Sequence, residues 1–133
     1  MAYLKPPMFT QKVFNRLAMM LHIGGSETLR VAGRSTGKIQ EIPVIPLDHG
    51  GERYLVSPRG ETEWVRNLRA AGKCDLAGKS GGSKTYAATE VPVDDRAEIL
   101  TAYQAKAGKT VAAYFRKLPA AADHPVFRLA ATS

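Results

Sequence analysis

Residues 28–57 read TLRVAGRSTGKIQEIPVIPLDHGGERYLVS, and the fold turns on how this stretch divides. Leu29 and Val31 alternate with polar or small neighbours, which predicts a strand over 28–32. Gly33-Arg34-Ser35-Thr36-Gly37-Lys38 reads as a polar turn. A second strand is predicted over 39–47, where Pro43 and Pro46 require an edge or a bulge, because proline donates no ladder hydrogen bond. Asp48-His49-Gly50-Gly51 supplies a hairpin turn into a third strand over 53–57. Short strands joined by such tight turns point to a rolled sheet or small barrel. A doubly wound parallel sheet would need a helix between most strands.

Outward from this block the period changes. Upstream, Thr10 is placed to cap a helix over 10–22, with Val13, Phe14, Leu17, Met20 and Leu21 on one stripe and Gly24-Gly25 as its stop. Downstream, residues 61–71 predict a short helix with Glu61 and Glu63 in its first turn, where the helix dipole favours them. Trp64 and Leu68 share a face there, and Gly72 ends it. Strands follow over 73–77 and 84–91. A helix capped by Asp94 or Asp95 runs to 106, a second covers 110–118, and a strand closes the chain over 124–131. The expected architecture is α+β: a six-stranded split β-barrel with flanking helices, forming one domain over 1–133. Residues 1–24 would form its N-terminal helix and 26–133 the barrel.

Composition narrows the function. The chain of 133 residues is 44% hydrophobic and 23% charged, which excludes a disordered or low-complexity segment. No apolar run approaches the roughly 18 residues of a membrane span. A single cysteine, Cys74, excludes an internal disulfide and a multi-cysteine zinc site, and no histidine pair has metal-ligand spacing, so no metal is expected. The start MAYLKPPMFT lacks a secretory signal pattern, which predicts a cytoplasmic location. With 19 Lys+Arg against 12 Asp+Glu the formal charge is +7, and an anionic partner is expected.

Two basic groups are candidates to hold that anion. In the turn at 33–38, backbone N–H groups beside two glycines, the Ser35 and Thr36 hydroxyls, and the charges of Arg34 and Lys38 suit a phosphate. The same hexapeptide also reads as a solvated β-turn. Arg59 lies just before Gly60, and Arg66 and Arg69 lie three apart on the following helix. Trp64 is either a core anchor or a stacking surface for a flat ring, and Asn67 either a buried cap or a ligand contact. Tyr103 and Tyr114 are either core rings or phenol proton donors at a pocket. No nucleophile elbow or hydrolytic constellation accompanies them, which favours a cofactor that brings its own reactivity.

Taken in order, these segments resemble the deazaflavin-dependent nitroreductase family. Gly33-Arg-Ser-Thr-Gly-Lys38 followed by Pro43 resembles its G-R-x-[ST]-G-x…P segment. Tyr54-Leu-Val-Ser-Pro-Arg-Gly60 resembles its strand ending in a basic residue and glycine, and Glu63-Trp-Val-Arg-Asn-Leu-Arg-Ala70 its W-x-x-N-L-x-A signature. The resemblance implies an FMN-binding split-barrel-like fold and binding of coenzyme F-420, an 8-hydroxy-5-deazaflavin with a phosphodiester and an oligoglutamate tail. It implies that Arg34, Ser35, Thr36 and Lys38 hold phosphate or tail groups, with Arg59 helping to anchor the anionic end. Gln40, Pro43, Val44 and Ile45 would run along the cofactor, Val56 and Ser57 would continue the groove, and Trp64, Arg66 and Asn67 would close it. Tyr114, then Tyr103, is the expected proton donor.

The expected function is hydride transfer from the reduced deazaflavin to a small hydrophobic, electron-poor acceptor such as a quinone, an enone or a nitro compound. An FMN-dependent reductase on the same barrel is an alternative. Another is a non-catalytic cofactor or lipid carrier that touches a membrane surface through Phe9, Val13, Phe14 and Leu17. Nucleic acid is not expected, because no basic helix is interleaved with aromatics at groove-reading spacing. A monomer and a homodimer both fit.

Overall fold

The computed structural model of the protein describes residues 26–78 and 82–132. The helix expected over 10–22, and with it the membrane-facing stripe, lies outside these residues. Alternation builds the first strand: Leu29 and Val31 of β1 (Glu27–Ala32) are fully buried and their neighbours are not. The polar turn leads into β2 (Ile39–Val44), whose register on β1 sets Val31 opposite Gln40 and Thr28 opposite Pro43. Then come β3 (Leu47–His49), β4 (Glu52–Val56), α1 (Glu63–Ala71), β5 (Lys73–Ala77) and β6 (Ser83–Glu90). A 3-10 turn at Val93–Asp95 precedes α2 (Ala97–Ala107) and α3 (Lys109–Lys117). A second such turn, Ala121–Asp123, precedes β7 (Val126–Ala131).

All pairings are antiparallel, and the sheet order is β2-β1-β5-β6-β7-β4-β3. The two edge strands are therefore consecutive in the chain, separated only by Ile45 and Pro46. Three Cα–Cα steps reach at most about 11 Å, so the two edges are held close and the sheet has to curl into a half-barrel. The described residues thus form seven strands where six were expected. Pro46 has no N–H for a ladder, and the strand predicted over 39–47 breaks there into β2 and β3. The inference that the prolines mark an edge holds, with Pro43 on the outermost strand.

The β3–β4 hairpin turns at Gly50 and Gly51, with φ of 59° and 80°. Both values lie in the left-handed region that a two-residue hairpin of the primed type demands. α1 begins two residues later than expected, after Thr62, and ends where the Gly72 N–H, at φ 70°, closes onto the Leu68 carbonyl at 2.8 Å. Neither Asp94 nor Asp95 caps α2. Both lie in the 3-10 turn, and Arg96 takes the cap position without a side-chain cap bond.

The core has two parts. One fills the curl of the sheet beneath α1 and includes Leu29, Val31, Leu55, Leu68, Leu76 and Phe127. The other lies between the β3–β4 hairpin and the late helices, with Leu47, Val56, Ile99, Leu100, Val111 and Phe115. His124 joins this second part, stacked on Phe115 with ring centroids 4.0 Å apart and planes 16° off parallel. It is fully buried, and its ring nitrogens lie against the Ser57 and Leu118 carbonyls.

Candidate functional site

The turn at 33–38 is held shut by its own backbone. The Gly33 N–H donates to the Lys38 carbonyl at 2.8 Å and the Gly37 N–H to the Gly33 carbonyl at 2.9 Å. The Lys38 N–H donates to Thr36 Oγ1 at 3.2 Å. Gly37 sits at φ 75°, which favours glycine, and a Cβ on Gly33 would crowd the Lys38 carbonyl oxygen at 3.1 Å. The Gly33, Gly37 and Lys38 amides thus serve the turn itself. The expected anion-binding residues Arg34, Ser35, Thr36 and Lys38 are all exposed.

Arg34 ties the turn to α1. Its backbone N–H donates to Asn67 Oδ1 at 3.1 Å, and its guanidinium donates to the same oxygen at 2.8 Å and to Glu63 Oε2 at 2.8 Å. Asn67, buried on the inner side of α1, in turn donates through Nδ2 to Gln40 Oε1 at 2.8 Å. Both ends of the Asn67 amide are thereby engaged, which fixes the orientation of Gln40 on β2 and of Arg34 at the turn. The structure thus brings Arg34, Gln40 and Asn67, three of the expected site residues, into one hydrogen-bonded cluster. Glu63 was not among the expected site residues, although its position four before Asn67 on one helix face is a signal that would have found it. The Arg34 hydrogen bond holds the Glu63 carboxyl below the usual carboxylate range.

The second basic group is smaller than expected. Arg66 is exposed on α1. Arg69 is engaged within the fold, donating to Glu61 at 2.8 and 3.0 Å and to Glu90 at 2.8 Å through each of two nitrogens. Arg59 is half-buried in the loop before α1. That loop is rigid at its start: buried Ser57 donates from Oγ to the Gly60 carbonyl at 2.6 Å and from its N–H to the Pro125 carbonyl at 3.0 Å.

The apolar candidates divide between the two core parts. Val44 packs against the part beneath α1, whereas Ile45 and Val56 belong with the part under the late helices. Pro43 is half-buried on β2. Trp64 is a core anchor, buried and tilted against Phe127 with centroids 6.1 Å apart, a contact that docks α1 onto the sheet. Its face is not open for stacking. Tyr103 is 3% exposed and packs on Phe115, and burial pushes its phenol up, away from easy proton release. It is a core ring. Tyr114 is half-buried at the edge of the same part and keeps the proton-donor role open. Cys74 is buried and its thiol is pushed up to about 12 by burial, which agrees with an inert side chain. Among the described residues no helix is long and apolar enough to cross a membrane.

Solved structures share this architecture. An F420-H2 dependent reductase, FDR-A, is 18% identical, covers 80% of this chain and 94% of its own, and superposes with a TM-score of 0.60. The heme storage protein HutZ from Vibrio cholerae is 10% identical, covers 90% of this chain and 91% of its own, and gives 0.62. A NimC/NimA family protein from Clostridium acetobutylicum is 14% identical, covers 88% and 80%, and gives 0.54. At these identities they establish the fold alone. No curated protein matches the sequence. The family-level match is broad: residues 9–120, spanning the Arg34 turn, both edge strands, α1 and the late helices, fit one family throughout, and the chain belongs to the F420H(2)-dependent quinone reductase family.

Proposed function

We propose that this protein is a coenzyme F-420-dependent reductase that acts on a quinone or a related electron-poor acceptor, such as an enone or a nitro compound. The observation that carries the reading is the Arg34–Asn67–Gln40 cluster inside a chain of this family. The residues suit the coenzyme. An exposed turn carrying Arg34, Lys38 and two hydroxyls matches a phosphodiester and a run of carboxylates. When bound, the reduced deazaflavin supplies a hydride.

The chain's own residues do the rest. Arg34, Ser35, Thr36 and Lys38 bind the anionic end, with Arg59 and Arg66 adding charge from the next loop and helix. Gln40, anchored by Asn67, and the wall made by Pro43 and Val44 of β2 with Ile45 just beyond it orient the flat portion, and Val56 with Ser57 forms a rigid floor. Tyr114 holds a proton for the acceptor, and Trp64 contributes by fixing α1. HutZ, described as a heme storage protein, has the same fold, but His124 here is buried with both ring nitrogens against carbonyls and does not offer an axial ligand.

The test is a titration with oxidised F-420 and, in parallel, FMN, read on the fluorescence of each ligand. It is followed by anaerobic oxidation of reduced F-420 with a quinone, a cyclic enone and a nitroimidazole. Preferential F-420 binding with quinone turnover is expected. Tighter FMN binding overturns the coenzyme assignment, and binding of neither moves the carrier reading to the front.

A further inference from the structure

The Arg34 guanidinium has two unlike partners. Asn67 is buried and locked through Gln40, so it holds Arg34 whether or not a ligand is present. Glu63 has a side chain 58% exposed, against 34% for Arg34, and approaches from the solvent side of the first turn of α1. An exposed carboxylate on a guanidinium is a weak, exchangeable contact. It also lies one helical turn from Arg66, whose charge acts on it as well. One carboxylate thus screens two of the cations available to an anionic ligand.

We propose that Glu63 stands where a ligand oxyanion belongs, and that a phosphate or carboxylate takes over Arg34 by displacing it. Resting on the F-420 reading, this makes Glu63 a specificity-determining residue. A weakly charged anion gains too little to replace the resident carboxylate, while a ligand with several negative charges gains Arg34 and Arg66 together. Asn67 keeps the guanidinium in position through the exchange, so no reorganisation of the turn is required.

The exchange predicts that Glu63→Gln, which keeps shape and removes charge, tightens binding of anionic ligands only. The probes are F-420 with its glutamate tail, the phosphate-bearing form without glutamates, and the neutral deazaflavin fragment that lacks both. Affinity for F-420 should rise about three- to tenfold at low salt, with the gain shrinking as salt screens the charges. The neutral fragment should bind equally to both proteins. A gain already complete with the tail-free form assigns Arg34 to the phosphate, and one that appears only with the tail assigns it to glutamate carboxylates. Equal or weaker F-420 binding by Glu63→Gln overturns the exchange and makes Glu63 a positioning partner of Arg34.

Inorganic pyrophosphate, followed by the NMR shift of the Arg34 Nε–H, separates this from the coenzyme reading. If no deazaflavin binds either protein but pyrophosphate binds the variant more tightly, the exchange stands and the coenzyme reading falls. If F-420 binds while neither its affinity nor that of pyrophosphate is changed by the substitution, the coenzyme reading stands and the exchange falls.

Discussion

Arg34 and Arg53 are both arginines held by acidic side chains, and the way each is held separates a site from a strut. Arg53, on β4, grips Glu27 of β1 with two nitrogens at 2.6 and 3.1 Å, reaches Asp48 at 3.2 Å and the Tyr86 hydroxyl at 3.3 Å, and lies over the Tyr86 ring. Arg53 and Glu27 are only 23% and 20% exposed. A guanidinium with this many internal partners has little left to offer a ligand. Arg34 has one neutral, buried anchor and one exposed carboxylate. In a chain of net charge +7, what a cation's partners are able to give up thus separates the candidates for anion binding from the rest.

The comparison breaks most sharply at Arg53. Replacing it with alanine leaves Glu27 half-buried and unpaired, and should cost about 2 kcal/mol of stability, read as a lower denaturant midpoint at unchanged m-value. F-420 affinity should stay at the wild-type level, and loss of affinity in a folded variant would erase the distinction between the two arginines.

Arg34→Ala should do the reverse. Its backbone N–H still donates to Asn67, so stability should change by less than about 1 kcal/mol, while F-420 affinity falls at least about tenfold by titration. A large stability loss with intact binding would show Arg34 to be a second strut.

A smaller effect sharpens the comparison at a third arginine. Arg69 resembles Arg53 in being held by carboxylates of the fold, although its side chain is 39% exposed, and its hydrogen bonds hold the Glu61 carboxyl below the usual carboxylate range. A carboxyl depressed in the folded state stabilises fully above its unfolded value of 4.5, and this contribution is lost as pH falls through the folded value. Glu61→Gln should therefore cost about 1 kcal/mol at pH 7 and flatten the fall in stability below pH 4.5, as measured by thermal melts across pH. An unchanged acid limb would show that the pair with Arg69 contributes no net stability.

The sequence makes part of this legible. The strand Lys73–Ala77 is readable to the residue, because Gly72 stops the helix before it and Cys74 and Leu76 alternate inward. The turn at 33–38 and the Trp64–Asn67 helix are equally local, whereas Arg34 and Gln40 lie 33 and 27 residues from Asn67 and are singled out together only by the family resemblance. The break at Pro46 is not local. Pro43 and Pro46 look alike along the chain, and only the sheet order makes one an edge residue and the other a corner. Partners distant in sequence were hidden for the same reason. Arg69 reads as a companion of Arg66 until Glu90, 21 residues on, is brought beside it. The turn at 33–38 adds a different limit, since residue types do not show which amides a turn uses to close itself, here those of Gly33, Gly37 and Lys38.

The link through Ile45 and Pro46 also bears on how the protein behaves in a crowded solution. A sheet that ends in two open strands invites other chains to extend it, which is how edge-to-edge aggregation begins. Here one end strand carries Pro43, which interrupts the row of donors, and the other, Leu47–His49, is three residues long. The corner that curls the sheet thus leaves two poor templates for strand addition, and Pro43→Val would be the change that gives a neighbouring molecule somewhere to start.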